Sequence, residues 1–175
     1  MIAEFFCGGK IKKTSNENYR IEIITNKFLS SCKPGKGYVK VEVGFVYKDH
    51  ENEYDTAFWL LNNFGGEIEI LKEKNFYNIT NPDYKWNRKF WELKSVSSSS
   101  SIDNAIRKAY KQILNNPGGV IIDIRKSPLA IEKILSILSY RLNATTASDV
   151  FVIIKSGFSL IDVVRYKKKK IIRCH

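Results

Sequence analysis

Asn81-Pro-Asp-Tyr-Lys-Trp-Asn-Arg-Lys-Phe-Trp-Glu-Leu-Lys-Ser95 carries the sharpest local pattern in the chain. Residues 83–86 and 90–96 read as two strands of a hairpin turning at Asn87–Arg88. Paired in that way, Asp83 and Glu92 approach on adjacent backbones. Glu92 and Lys94 are two residues apart, so both leave the same face of one strand. That face then carries two carboxylates and an ammonium group. Two carboxylates with backbone carbonyl oxygens suit a hard divalent ion such as Mg²⁺ or Mn²⁺. A lysine beside them can orient the attacking water or stabilise charge developing on phosphorus. This is the chemistry of phosphodiester hydrolysis. The bland alternative is a strand start at Asp83 and a solvated Glu92–Lys94 ion pair of little worth.

Working outward, alternating apolar and polar residues mark strands at 38–47 and 66–71, with IEII at 21–24 a further candidate. Ala57, Leu60, Leu61 and Phe64 fall at helical spacing over 51–64, and Gly65-Gly66 stops that helix. The polar segment 72–81 is a connection. The serine run 97–101 reads as a loop ending in an N-cap at Ser101, with Asp103 suiting the first turn. The helix it opens runs to about Leu114, with Ile102, Ala105, Ile106, Ala109 and Ile113 as its apolar stripe. VIIDI (120–124) and DVFVIIK (149–155) are buried-type strands. Between them Ser127-Pro128 opens a helix with Ile131, Ile134, Leu135 and Leu138 on one side. LIDVVRY (160–166) returns as a hairpin partner. The element order predicts an α/β fold, a mixed central sheet flanked by helices. Residues 1–49 read as an N-terminal extension whose strands pack on a domain spanning 50–175.

Composition narrows the function. The chain has 175 residues, 29 Lys+Arg and 18 Asp+Glu, a net charge of +11. By segment the net charge is +4 over 1–50, −2 over 51–100 and +9 over 101–175. An acidic middle between basic flanks fits carboxylates that hold a metal and cations that hold phosphates. The scattered cysteines Cys7, Cys32 and Cys174 form neither a disulfide framework nor a zinc spacing. No apolar run approaches a membrane span, and the N-terminal residues lack the cationic start of a secretory signal. The expectation is a cytoplasmic, basic domain whose partner is a polyanion.

The Pro-Asp and Glu-x-Lys pair resembles the PD-(D/E)XK, or restriction endonuclease-like, nuclease superfamily. A closer resemblance covers about residues 50–166. It rests on E-Y-D-T-A-F-W-L-L-N-N-F-G-G-E-I (53–68), the 81–95 stretch, S-I-D-N-A-I-R-K-A-Y-K-Q (101–112) and G-G-V-I-I-D-I (118–124). Together these resemble the C-terminal tRNase domains of contact-dependent growth-inhibition toxins, and related nuclease-like domains of phage and mobile-element proteins.

That resemblance implies a restriction endonuclease-like core and a metal-dependent endonuclease acting as a toxin. RNA, tRNA above all, is implied as substrate, with a cognate immunity protein as partner. Asp83 and Glu92 would bind metal, Lys94 would be catalytic, and an early helical acid, Glu53 or Asp55, would complete the set. Those two cannot point the same way, and the family pattern slightly favours Asp55. Asn104, Lys108 and Gln112 lie nearly in line on their helix, flanked by Arg107 and Lys111, as a phosphate-facing wall.

Other residues have two readings. Asp123 could be a further site acid, but pairing with a neighbouring cation is favoured. Trp86, Phe90 and Trp91 could stack on bases, although two of the three are expected in the core. His50 could support the site or sit at a helix start. Lys167–Lys170 could grip a nucleic-acid backbone or be a solvated tail. Two rival functions remain, a DNA endonuclease on the same site and a non-catalytic nucleic-acid-binding module.

Overall fold

Asn87 and Arg88 both take positive φ, 48° and 65°. That is the backbone of a two-residue turn matching the twist of paired strands. The hairpin it closes joins β4 (Tyr84–Trp86) to β5 (Lys89–Ser95). It sits inside an eight-stranded sheet in a computed structural model describing residues 19–72, 81–125, 130–143 and 149–168. Cys7, Cys174, His175, the Ser127-Pro128 helix start, most of the 72–81 connection and the last two lysines of the 167–170 run lie outside the described residues.

The remaining elements are β1 (Tyr19–Ile23), α1 (Thr25–Ser31), β2 (Gly37–Val41), α2 (Glu51–Phe64) and β3 (Gly66–Ile70), followed after the hairpin by α3 (Ser99–Ile113), β6 (Pro117–Asp123), α4 (Ile131–Asn143), β7 (Asp149–Ser156) and β8 (Ser159–Lys168). The sheet order is β1-β8-β7-β6-β5-β4-β3-β2. Strands β5, β6 and β7 are parallel, and the hairpins β3–β4–β5 and β7–β8 are antiparallel. The N-terminal segment supplies both edges: β1 pairs with β8, and β2 pairs with β3. The expected α/β fold, a mixed sheet flanked by helices, is what is found.

Side-chain parity divides the core into two layers. Val120, Ile122, Val152 and Ile154 face α3 and α4, meeting Ile102, Ile106, Ile113, Ile134 and Leu138. Ile121, Ile153, Trp91 and Leu93 face the other way, toward Ala57, Trp59, Leu60 and Phe64 of α2. Among the described residues no helix is long and apolar enough to cross a membrane.

Several boundaries differ from the reading of the sequence. Helix α1 is absent from that reading, because its seven residues TNKFLSS carry almost no apolar pattern; only Phe28 and the following Cys32 reach the core. Strand β2 stops at Val41, where the chain turns through Gly44 at φ 87° into a short 3-10 turn at Tyr47–Asp49. The cap of α3 is Ser98, three residues before the expected Ser101. Ser98 Oγ accepts from the Ser101 amide, while Ser101 Oγ accepts from the Ser98 amide, closing a reciprocal capping box. Strand β6 begins at Pro117, three residues before the expected start, and the Trp91 ring lies on its Gly118 and Gly119. A Cβ at either glycine would come within 2.3 or 2.4 Å of it.

Candidate active site

The β4–β5 hairpin places Asp83 beside Glu92, as expected. The backbone amide of Asp83 donates to Glu92 Oε2 at 3.1 Å, and the amide of Leu93 donates to Asp83 Oδ2 at 2.7 Å. Each carboxylate is thus held by the other strand's backbone. Lys94 Nζ donates to Glu92 Oε1. Glu92 is 0 % exposed, which excludes a solvated surface pair. The lysine side chain remains 26 % exposed, so the cluster has one wet end. By parity Glu92 and Lys94 lie on the α3 side of the sheet, opposite Trp91 and Leu93.

Burial sets the electrostatics. It pushes the Asp83 carboxyl well above the usual carboxylate range, and the adjacent Glu92 charge pushes the same way. Burial also raises Glu92, with Lys94 pulling back. Two desolvated carboxylates share one ammonium, so the cluster lacks positive charge.

Helix α2 contributes Glu53. Tyr84, fully buried, donates from its hydroxyl to the Glu53 carbonyl oxygen at 2.8 Å. The Glu53 charge also raises Asp83. Asp55, favoured by the family pattern, is exposed, and its charge acts on Tyr47 and Lys155. Of the two early acids, Glu53 is the one whose charge acts on Asp83. His50, half-buried at the start of α2, has Nδ1 3.7 Å from Glu53 Oε1.

Helix α3 roofs the cluster. Gln112 is half-buried and donates to the Asn81 carbonyl oxygen at 3.0 Å. It also hydrogen-bonds Glu92, favouring the charged form. Asn104, Arg107, Lys108 and Lys111 are exposed along the same helix. The expected line therefore divides: Gln112 joins the carboxylates and the others form an open basic face. An Arg141–Asp103 fork ties α3 to α4.

Asp123 belongs to a second cluster on the opposite face of the sheet. Its Oδ1 accepts from the amides of Arg125 at 3.0 Å and Gly157 at 3.2 Å, and its Oδ2 accepts from Arg125 Nε at 2.8 Å. Lys155 Nζ lies 3.8 Å from the same oxygen, donates to Thr56 Oγ1 at 2.9 Å and sits 4.7 Å above the Trp59 ring. Arg125 also reaches Asn52 Oδ1 on α2. This is the cation pairing favoured for Asp123. The sequence reading missed Tyr84, Lys155, Arg125 and Asn52. Their residue types are ordinary, and only the fold brings them together. Trp86 and Trp91 are buried, as expected for two of the three aromatics, and Phe90 packs partly buried under α3.

Fold and cluster together define a mixed α/β domain with a buried carboxylate–lysine group under a basic helix. Comparison with known proteins gives this class a family likeness. Residues 80–158 match the family model described as the contact-dependent growth inhibition CdiA C-terminal domain, a span that includes Asp83, Glu92, Lys94 and all of α3. A solved structure, the CdiA-CT/CdiI toxin and immunity complex from Burkholderia pseudomallei, is similar at 13 % identity and a TM-score of 0.49. The match covers 71 % of this chain and 96 % of that chain. No curated protein matches the sequence.

Proposed function

We propose that this chain is a toxin effector with a restriction endonuclease-like core, and that it hydrolyses phosphodiester bonds in RNA, tRNA being the favoured substrate. The observation that carries the reading is the convergence of half-buried Asp83, buried Glu92 and half-buried Lys94 in a charge-deficient cluster, within the segment that matches the growth-inhibition family.

The donor set fits a divalent cation of the Mg²⁺ kind. Among the described residues no group of three or more His, Cys, Asp and Glu side chains forms a ready-made cage. Mg²⁺ does not need one, since it keeps several waters and takes one or two carboxylates. Asp83 and Glu92 would hold it, and the charge of Glu53 on α2 acts on Asp83. A cation there supplies Lewis acidity toward phosphoryl oxygens and activation of water.

The chain's own groups do the rest. Lys94 brings a positive charge to the wet end of the cluster, where charge develops on the phosphoryl oxygens. Gln112 steadies Glu92 in its charged form. Arg107, Lys108 and Lys111 meet the polyanion, with Asn104 beside them. Water's oxygen forms the new bond to phosphorus as the bond to the leaving oxygen breaks. A toxin of this kind acts in the cytosol of its target and requires an immunity protein in the cell that makes it.

The test is purified protein with tRNA, other RNA or duplex DNA, each in Mg²⁺ or EDTA. Cleavage of tRNA in Mg²⁺ alone is expected, and lost with Asp83→Asn or Lys94→Ala. Equal cleavage of matched DNA and RNA would make the chain a general endonuclease. Binding without cleavage would make it a nucleic-acid-binding module. Cleavage that survives EDTA and both substitutions would sink the metal mechanism.

A further inference from the structure

On the α2 side of the sheet, at the hairpin end of β5, lies a cavity of 470 Å³. It shares no residue with the carboxylate cluster or with the basic face of α3. Buried Trp86 and Trp91 and half-buried Phe28 and Phe151 line it, while Lys89 and Asp149 stand among its polar lining. Trp91 and Phe151 stack with ring planes 15° apart and centroids 6.3 Å apart. Arg165 lies 5.5 Å over the Phe151 ring and forks onto Asp149, with Nε to Oδ1 at 3.0 Å and Nη2 to Oδ2 at 2.6 Å.

Three chemistries thus meet. There is an aromatic lining in which Trp91 and Phe151 are near-parallel and Phe28 and Trp86 are tilted, an exposed ammonium at Lys89 beside exposed Arg88, and a carboxylate fixed by its arginine fork but still able to accept further hydrogen bonds. An aromatic surface stacks on any base, a cation takes the phosphate, and a fixed acceptor reads ring N–H and exocyclic amino groups. A purely apolar ligand would need neither charge, and a duplex could not offer a base face. We propose that this cavity takes an unpaired nucleobase of a single-stranded polynucleotide, with the adjoining phosphate on Lys89.

The position suits that role. Strand β5 carries Trp91 toward the cavity and its neighbour Glu92 toward the carboxylate cluster. Lys89, two residues or about 7 Å along the strand, marks the end around which a strand would pass. The inference rests on the nucleic-acid part of the function proposed above, not on catalysis.

Binding is therefore measured in EDTA, where cleavage has no part. The probes are a short single-stranded RNA, the same strand in duplex, and the same strand with abasic sites. The intact single strand is expected to quench tryptophan emission and to bind more tightly than the abasic strand. Phe151→Leu, which keeps the apolar volume, is expected to weaken single-strand binding roughly tenfold and leave duplex binding unchanged. Lys89→Ala is expected to weaken binding and lower its salt dependence by about one phosphate. Equal affinity for intact and abasic strands on the unaltered protein overturns the proposal, and that comparison decides even if Phe151→Leu fails to fold. Mg²⁺-dependent cleavage is scored separately, so either proposal can fail alone.

Discussion

Two buried charged clusters share one sheet and face opposite ways. On the α3 side, Asp83 and Glu92 meet a single ammonium from Lys94, and burial pushes both carboxyls up. On the α2 side, Asp123 meets Arg125 and Lys155, and both its oxygens accept hydrogen bonds. Each cluster is an acid near a lysine on a buried strand, yet the charge balance is reversed. The first is short of positive charge and would be relieved by a cation. The second is complete and fastens α2 to the ends of β6 and β7 through Thr56 and Asn52. Proximity of acid and lysine is therefore a poor sign of chemistry, and an unmet charge is a better one.

The widest separation between the clusters should appear in cleavage. Asp83→Asn keeps an acceptor for the Leu93 amide, so the hairpin survives. Its RNA-cleaving rate, and that of Lys94→Ala, should fall roughly 10²–10⁴-fold in a single-turnover gel assay. Wild-type rates in either variant would break the comparison.

Stability should separate them next. Asp123→Ala strands Lys155, 1 % exposed, with Arg125 beside it. Removing one partner of such a group should cost about 3–5 kcal/mol in urea unfolding. Asp83→Asn should instead raise stability in EDTA, because it removes a desolvated charge. A large loss from Asp83→Asn would mean that both clusters serve the fold.

The pH dependence carries the same contrast. Asp83 holds its proton to higher pH when folded than when unfolded. Between the usual carboxylate range and the raised value, the folded chain binds more protons, so stability falls as pH rises. The melting temperature of wild type minus that of Asp83→Asn, measured in EDTA, should decline through that window. Mg²⁺ should flatten the decline. A rising difference would contradict the burial of Asp83.

The smallest effect concerns the roof over the first cluster. Ser98→Ala removes half of the capping box and should cost about 1 kcal/mol in urea unfolding. No loss would show that the neighbouring serines substitute for Ser98.

Most of the sheet could be read from the sequence because alternation and turn chemistry agree. Asn87-Arg88, between two short segments of mixed aromatic and charged residues, announces the hairpin, and Gly65 at φ 73° ends α2 where its apolar stripe stops. Helix α1 could not be read, since Phe28 is too little apolar pattern in seven residues. Nor could Ser98 be told from Ser101 in a serine run, where each residue is an equal cap until the helix axis is fixed. The Asp83–Glu92–Lys94 convergence follows from strand geometry alone. That the Glu53 charge acts on Asp83 and the Asp55 charge on Lys155 does not, because it depends on how α2 packs on the sheet. The sequence distance between Asp123 and Lys155 likewise hides a contact made by parallel pairing of β6 with β7.

The proposed cation site at Asp83 and Glu92 must bind metal in the absence of substrate. Mn²⁺ titrated calorimetrically into the protein at neutral pH tests it without any nucleic acid. Wild type should bind saturably, Lys94→Ala should bind at least as well because Glu92 Oε1 is freed, and Asp83→Asn should lose the binding. Equal Mn²⁺ affinity in wild type and Asp83→Asn would contradict the proposed site.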